Sequence, residues 1–388
     1  MLTREENQFL TQVGRGTPGG ELLRRYWQPV APSGELTAEK PIKAVRILGE
    51  DLVLFRDTKG GYGLVAKQCP HRRASLAYGR VDDEGIRCPY HGWKFAASGQ
   101  CLEMPAEPKD TPMLNRIRQP AYPVQKLGGL LFAYMGPDPV PLLPRWDVLA
   151  WERGTRRIDV QSVLQCNWMQ AMENSVDPSH LYWLHGVTAH LASSVGHYEE
   201  EHEFLPFEYG IMKRRITPPK KPGDKGQIDQ HPLLFPNTLR HVSKSKVTGG
   251  LRHNLQFRVP IDDVSTQIFV VYFEPSATER TPGDADVPFG PFEVRDEQGQ
   301  YRLDQVLVQD AMAWESQGEV ADRTQENLGA GDRGIAFYRR LLKEQIATVQ
   351  KGGDPLGVVR DPKANRLIEF EVINERIGLT TPETQAVA

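Results

Sequence analysis

The sequence predicts an α+β protein with two domains, a small antiparallel β domain and a larger one whose antiparallel sheet is covered by helices. Two observations carry this prediction. The 388 residues exceed the length at which one hydrophobic core usually stops growing. The 30 prolines and 35 glycines indicate many turns, and short runs with alternating apolar residues between them are typical of antiparallel strands.

Residues 3–27 are predicted to form two short helices, interrupted by GRGTPGG. The second helix is expected to begin at Thr17 and Pro18, because a hydroxyl cap followed by proline is a common helix start. Three glycines of the interruption match a dinucleotide fingerprint, but no strand precedes them, so we reject nucleotide binding. We expect residues 1–40 to pack on the larger domain.

The small β domain is predicted over residues 41–146. Its first strands are expected in PIKAVRI, DLVLFRD and YGLVAKQC, which are separated by turn sequences. The run GGLLFAYMG reads as a later buried strand, and the proline-rich DPVPLLPRW closes the domain near residue 146.

The larger domain is predicted over residues 147–388, and its pattern changes between strand and helix. Strands are expected in RRIDVQSVLQ, NLQFRVPI and QIFVVYF. Helices are expected in NWMQAMENS, in LDQVLVQDAMAWES and in an amphipathic run from about 332 to 350 that stops at two glycines.

The bulk properties exclude several classes of protein. A formal net charge of -3 and a pI near 6.4 provide no basic field for nucleic acid. The N-terminus has no secretory pattern, and the apolar runs are too short to cross a bilayer. We therefore expect a cytoplasmic protein with no membrane or nucleic-acid partner. Cys101 and Cys166 have no partner spacing and are expected to be buried small hydrophobic residues.

Two cysteines and two histidines form the first constellation. Cys69 and His71 have one residue between them, and Cys88 and His91 have two. A structural zinc site of the common kind groups its cysteines in one loop and its histidines in another, whereas each loop here is mixed. A [2Fe-2S] cluster with two cysteines on one iron and two histidines on the other suits mixed loops. Zinc and four unrelated turn residues are the weaker alternatives.

A second constellation contains His180 and His185, which are five residues apart. On a continuous α-helix they would face different ways, so we expect His185 to sit where Gly186 ends the helix. Two histidines and one carboxylate can hold Fe(II) with open positions. We choose Asp310 as the carboxylate, because an acid on an otherwise apolar helix needs a charged partner. The competing carboxylates are Glu173, Asp304, Glu315 and Asp322.

The motif C-x-H, sixteen residues, C-x-x-H followed by Gly-Trp resembles the Rieske domain of the ring-hydroxylating oxygenases, over residues 41–137. Respiratory-chain Rieske proteins carry a disulfide cysteine in each loop; the matching places here hold residues 72–74 and Tyr90. The motifs E-N-x-x-D-P-S-H and Q-D-x-x-x-x-E-S-Q-G resemble the catalytic domain of the phthalate dioxygenase-like group.

This resemblance implies roles for single residues. His180, His185 and Asp310 would be the ligands of a mononuclear Fe(II). Asp177 reads as a helix N-cap from its sequence context, whereas the resemblance implies a bridge from His180 to His91 of a neighbouring subunit. Asn174 would line the same pocket or face solvent as a polar helix residue.

The resemblance also implies the activity. The chain would be the terminal oxygenase component, which uses dioxygen and electrons from a separate NADH-dependent flavin and iron-sulfur reductase. It would hydroxylate, dihydroxylate or O-demethylate an aromatic carboxylate or aryl ether, as a homotrimer or a multiple of it. Arg214 and Arg258 are candidates for binding the substrate. The alternative is a Rieske electron-transfer protein without oxygenase activity.

Overall fold

A computed structural model describes residues 1–188, 200–219, 221, 223 and 225–379. Within these residues the chain forms seven α-helices, twenty β-strands and a π-helix at Leu181–Thr188. The helices are α1 (Arg4–Thr11), α2 (Pro18–Leu23), α3 (Met113–Arg116), α4 (Asp147–Ala150), α5 (Trp168–Ser175), α6 (Val306–Glu315) and α7 (Arg333–Gln350). The strands are β1 (Trp27–Pro32), β2 (Ile42–Ile47), β3 (Glu50–Arg56), β4 (Tyr62–Ala66), β5 (Arg80–Asp82), β6 (Gly85–Arg87), β7 (Lys94–Phe95), β8 (Cys101–Glu103), β9 (Ala121–Tyr122), β10 (Val124–Leu127), β11 (Leu130–Tyr134), β12 (Gly154–Gln161), β13 (Glu201–Phe207), β14 (Gly210–Thr217), β15 (Gln227–Leu234), β16 (Thr238–Lys244), β17 (Leu251–Pro260), β18 (Thr266–Pro275), β19 (Phe289–Phe292) and β20 (Ile373–Asn374).

The two predicted N-terminal helices are present as α1 and α2. The Thr3 hydroxyl and the Glu6 carboxylate cap α1 reciprocally, and the Thr17 hydroxyl caps α2, which has Pro18 in its first turn. Both helices contact α7, and Glu6 pairs with Lys343 of α7 at 2.6 Å. The N-terminal segment is therefore tied to the last long helix.

Three small antiparallel sheets follow. Their strand orders are β1-β11-β10, β2-β3-β4-β9 and β5-β6-β7-β8. The strands predicted from the alternating runs after residue 41 form β2, β3 and β4. A separate hydrophobic cluster, which includes Cys69, Cys88, Trp93 and Cys101, joins the β2-β3-β4-β9 sheet to the β5-β6-β7-β8 sheet. The prediction of small antiparallel sheets in this part of the chain is thus confirmed, and so is the burial of Cys101.

The remaining strands form a nine-stranded sheet. Its order is β13-β14-β15-β16-β17-β18-β12-β19, with β20 paired to β15. All its pairs are antiparallel except β12 with β19. Alternate residues of β17 point to opposite faces, as strand geometry requires. Phe257 packs on Phe132 and Trp146, whereas Arg258 contacts Ser175 of α5 and Trp314 of α6. One face of the sheet therefore supports α5 and α6.

The largest hydrophobic core joins β1 and β11 to the nine-stranded sheet and α7. None of the helices that the structure describes combines the length and the apolar character that crossing a bilayer requires.

Candidate metal centres

The two cysteine-histidine loops are compact turns closed by backbone hydrogen bonds. The Cys69 amide, in the loop after β4, donates to the Ala74 carbonyl at 2.9 Å. The Cys88 amide, in the loop after β6, donates to the Trp93 carbonyl at 2.8 Å. Gly92 has a φ of 74°, a left-handed conformation that glycine adopts without the penalty of a Cβ atom. Each turn carries one cysteine and one histidine.

These four side chains separate into two buried thiols and two outward imidazoles. Cys69 and Cys88 are 1% and 4% exposed, whereas His71 is exposed and His91 half-buried. The two ring centroids are 4.6 Å apart. Burial, with a contribution from Cys88, raises the pKa of Cys69 to about 12. Because metals bind thiolates, buried thiolates here need a cationic partner, and two thiols with two imidazoles fit a Rieske [2Fe-2S] cluster.

A second group of possible ligands consists of His180, His185 and Asp310. The Nε2 atoms of His185 and His180 lie 3.2 and 3.6 Å from Asp310 Oδ1. One ligand atom from each residue lies within 4.8 Å of the others. Burial acts to raise the pKa of Asp310, but the His185 hydrogen bond and the charges of both histidines lower it below its usual value. Two imidazole nitrogens and an ionised carboxylate fit the non-haem Fe(II) facial triad.

The prediction that Gly186 ends the helix after His185 is wrong. The π-helix runs over Leu181–Thr188, so Gly186 lies inside it. A π-helix closes its hydrogen bonds five residues apart, whereas the α-helix closes them four apart. Residues five apart can therefore face the same side, and His180 and His185 do so with ring centroids 5.2 Å apart.

Each histidine of the triad has its Nδ1 occupied by a protein oxygen. His185 Nδ1 donates to Gln309 Oε1 at 2.6 Å, and Gln309 Nε2 donates to the Leu303 carbonyl at 2.6 Å. His180 Nδ1 donates to the backbone carbonyl of Asp177. These bonds place the proton on Nδ1 and leave both Nε2 atoms for a metal.

Asp177 and Asn174 both lie beside the triad. Asp177 Oδ1 accepts from the Ser179 amide at 3.0 Å, and its Oδ2 lies 3.7 Å from His180 Nδ1. Burial acts to raise the pKa of Asp177, but hydrogen bonding and charge from His180 lower it overall. Asn174 Nδ2 donates to Asp310 Oδ1 at 3.4 Å, so Asn174 faces the triad.

None of the competing carboxylates joins the triad within the described ranges, and most have other partners. Glu173 is buried against Arg323, which donates to it at 2.7 Å. Glu315 accepts from the Tyr301 hydroxyl at 2.8 Å. Asp322 caps the turn that follows it.

The two predicted substrate arginines lie in different environments. Arg214 is half-buried on the face of β14 away from the triad and is held by Glu203 and Gln230. The structure does not bring Arg214 to the site. Arg258 lies on the site-facing side of β17, but its guanidinium is engaged by Ser175 and Gln256.

Four further side chains were not identified from the sequence: Gln309, Lys213, His231 and His241. Gln309 precedes Asp310, but nothing in the sequence shows where its amide points. Of the other three, Lys213 and His231 are buried on β14 and β15, and His241 is half-buried on β16. Polar residues on the inner face of a strand can indicate a functional site. This indication can be used only when it is known which residues of the strand share that face.

Comparisons with known proteins agree with this geometry. A family model described as the Rieske [2Fe-2S] domain matches residues 26–123, and another, described as LigXa C-terminal domain like, matches residues 297–378. The 5,5'-dehydrodivanillate O-demethylase oxygenase subunit of a Sphingobium species is 40% identical over 100% of this chain and 91% of its own. The phenoxybenzoate dioxygenase subunit alpha of Ectopseudomonas oleovorans is 38% identical over 90% and 87%. A structure of the Pseudomonas putida CBB5 NdmA QL mutant with caffeine shares the fold, with a TM-score of 0.68 and 20% identity over 88% of this chain and 97% of that one.

Proposed function

The chain belongs to the Rieske non-haem iron oxygenases, as an oxygenase subunit of the phthalate dioxygenase-like group, and we propose which of its residues bind the metals and transfer the electron. It is an oxidoreductase of the mono- or dioxygenase type. The oxygenase reading therefore replaces the alternative of an electron carrier without oxygenase activity. The observation that supports the proposed roles best is the convergence of His180, His185 and Asp310 in the same chain as the cluster loops.

In this proposal, Cys69, His71, Cys88 and His91 hold the [2Fe-2S] cluster, and the triad holds one Fe(II). When bound, this iron supplies open positions for dioxygen and substrate. The protein orients the two imidazole ligands and supplies a negative charge beside the metal. Gln309 and the Asp177 carbonyl hold the two imidazoles with Nε2 inward, and the ionised Asp310 compensates the metal's charge.

We propose that the electron passes from His91 of one subunit to Asp177 of a neighbouring subunit, and from there to His180 of that same neighbour. Within the described residues, no hydrogen bond or ion pair joins His91 to Asp177 of the same chain. The Asp177 side chain is 26% exposed, and His91 is half-buried, so both are accessible to a second copy. A path between copies of one chain suggests a ring, and we infer a homotrimer or a multiple of it.

The electrons are proposed to come from a separate NADH-dependent flavin and iron-sulfur reductase. The glycine-rich stretch near the N-terminus follows α1 and runs into α2, and no strand of the described chain precedes it, which does not suit dinucleotide binding. The exposed His71 offers an approach to the cluster. We also retain the division into residues 1–40, 41–146 and 147–388, and a cytoplasmic location, as proposals.

The proposed substrate is an aromatic carboxylate or aryl ether, which the chain hydroxylates, dihydroxylates or O-demethylates. The names of the two relatives support this class, since one is a dehydrodivanillate O-demethylase and the other a phenoxybenzoate dioxygenase. The choice between these reactions depends on which substrate carbon faces the iron.

Metal analysis tests the proposed sites. Protein purified without oxygen should contain about three irons and two acid-labile sulfides per chain. Asp310→Ala should lose about one iron and keep the visible spectrum of the cluster, because Asp310 belongs to the triad alone. Glu315→Gln, on the same helix but outside the triad, is the matched control. Zinc without sulfide, or an Asp310→Ala protein with all its iron, would refute the assignment.

A further inference from the structure

A row of polar side chains crosses the face of the nine-stranded sheet that supports α5 and α6. Lys213 of β14 pairs in register with His231 of β15, and His241 of β16 pairs with Asn254 of β17. The rings of His231 and His241 are 4.6 Å apart, which joins the two pairs into one row. Side chains directly opposite in neighbouring strands lie within contact reach. This row is hereafter the Lys213 row.

The Lys213 row lies on the triad's side of the sheet. Asn254 is on the same face of β17 as Arg258, which contacts α5 and α6. The Lys213 charge acts on both Asp177 and Asp310. The row therefore borders the space in front of the proposed iron rather than the opposite core.

Lys213 is a buried cation without a partner in contact. It is 5% exposed, yet its ammonium makes no hydrogen bond and no ion pair within the part of the chain that the structure describes. Nearby cations differ in this respect: Arg215 pairs with Asp229, and Arg258 is held by Ser175 and Gln256. Burial, Arg215 and Arg258 lower the pKa of Lys213 to about 7. A bound anion would relieve the cost of this unpaired charge.

The rest of the row supplies neutral hydrogen-bonding groups. Burial lowers the pKa of His241 to about 3, so its imidazole is uncharged, and neither ring nitrogen has a hydrogen-bond partner among the described residues. Asn254 is 4% exposed and its Oδ1 accepts from Gln256 Nε2 at 3.2 Å. Gln256 Oε1 in turn accepts from Arg258 at 3.2 Å. These hydrogen bonds fix the orientation of the Asn254 amide, and its NH2 group has no acceptor among the residues that the structure describes.

We propose that Lys213, at one end of a row that continues through His231 and His241 to Asn254, binds the carboxylate of an aromatic acid and orients its ring toward the triad. One cation matches one negative charge, and the neutral polar groups of the same row can donate to other oxygens of the bound acid. This inference rests on the proposed function and deepens it. It assigns carboxylate recognition to Lys213 instead of Arg214, which faces away.

Binding to the iron-loaded enzyme tests the proposal by calorimetry. The probes are phthalate with its dimethyl ester, 3-phenoxybenzoate and 3-methoxybenzoate each with its methyl ester, and 2-methoxyphenol as an uncharged phenol. Wild-type protein should bind at least one acid. Lys213→Met should weaken that acid at least about tenfold, the loss expected for a charged hydrogen bond. The methyl ester should bind both proteins equally, and Lys213→Arg should recover most of the affinity.

Lys244→Met, at an exposed position on β16 of the same sheet, is the matched control and should bind like wild type. The proposal is overturned if no acid binds, if only the phenol binds, or if Lys213→Met weakens acid and ester equally. Iron content is measured in parallel. A wild-type protein without its mononuclear iron would refute the proposed function, whereas a loaded protein that ignores acids refutes this inference alone. Should Lys213→Met fail to fold, Lys213→Gln and His241→Leu make the same comparison.

Discussion

Replacement of Gln309 by methionine tests how the protein orients one iron ligand. Methionine keeps the side-chain length but can neither accept from His185 Nδ1 nor donate to the Leu303 carbonyl. Both contacts are 2.6 Å long, and His185 is 1% exposed, so water cannot readily replace them. A buried polar group that loses its partner costs about 1–3 kcal/mol. Loss of such an outer contact typically lowers metal affinity roughly tenfold to a hundredfold.

The assay is titration of iron-depleted protein with Fe(II) under argon, with the cluster left intact and monitored by its visible spectrum. Gln309→Met should need roughly tenfold to a hundredfold more free Fe(II) for half-saturation. Gln317→Met is the matched control, because Gln317 donates to the Ala313 carbonyl at an exposed position after α6. Its Fe(II) affinity should equal that of wild type.

Equal Fe(II) affinities for Gln309→Met and wild type would refute the argument that the Gln309 bond sets the His185 tautomer. A variant that loses the cluster as well would show a general folding defect instead. Thermal unfolding of the iron-depleted proteins separates the two causes, because a defect of packing persists without the metal.

Three other predictions concern electron transfer, stability and potential. Asp177→Asn should retain its iron but slow reduction of the mononuclear site by the cluster roughly tenfold to a hundredfold in stopped-flow measurements; an unchanged rate removes Asp177 from the path. Asp147→Asn should lower the unfolding free energy in urea by about 3–5 kcal/mol, because Asp147 and Arg240 form an ion pair in which both side chains are 0% exposed, and an unchanged midpoint would contradict this. The cluster potential should lie in the lower part of the Rieske range, which begins at about −150 mV, because Trp93, which stacks on His71, has no hydroxyl that could donate to the cluster; redox titration to a value near the top of that range would disagree.

Much of the fold could be predicted because its signals are local. The strands after residue 41 are five to seven residues long and lie between turn sequences, and α2 begins at Pro18 with the predicted Thr17 as its cap. The metal-type residues were also readable, since chemistry restricts a cluster or an Fe(II) triad to a few residue types. Asp310 stood out as an acid on an apolar helix.

The features that could not be predicted depend on long-range register or on an unusual helix. The π-helix changes which residues share a face, and no local propensity distinguishes it from an α-helix between Leu181 and Thr188. The Lys213 row combines residues from four strands, and a strand's periodicity does not say which strand lies beside it. Arg214 is an example of the error that results. It is the neighbour of Lys213 on β14, and successive side chains of a strand point to opposite faces.

The triad is assembled from two distant segments whose packing must be stable before iron can bind. His185 and Gln309 are 124 positions apart, in the π-helix and in α6. The π-helix follows α5, which packs on α6 in a small hydrophobic cluster that includes Ala171, Ala311 and Trp314. Apolar packing of α5 on α6 therefore supports the polar geometry and limits how far the ligands can separate. A metal that binds this folded arrangement and not the unfolded chain must stabilise the same packing by mass action. Iron affinity and the stability of the α5–α6 contact are thus two measures of one coupled equilibrium.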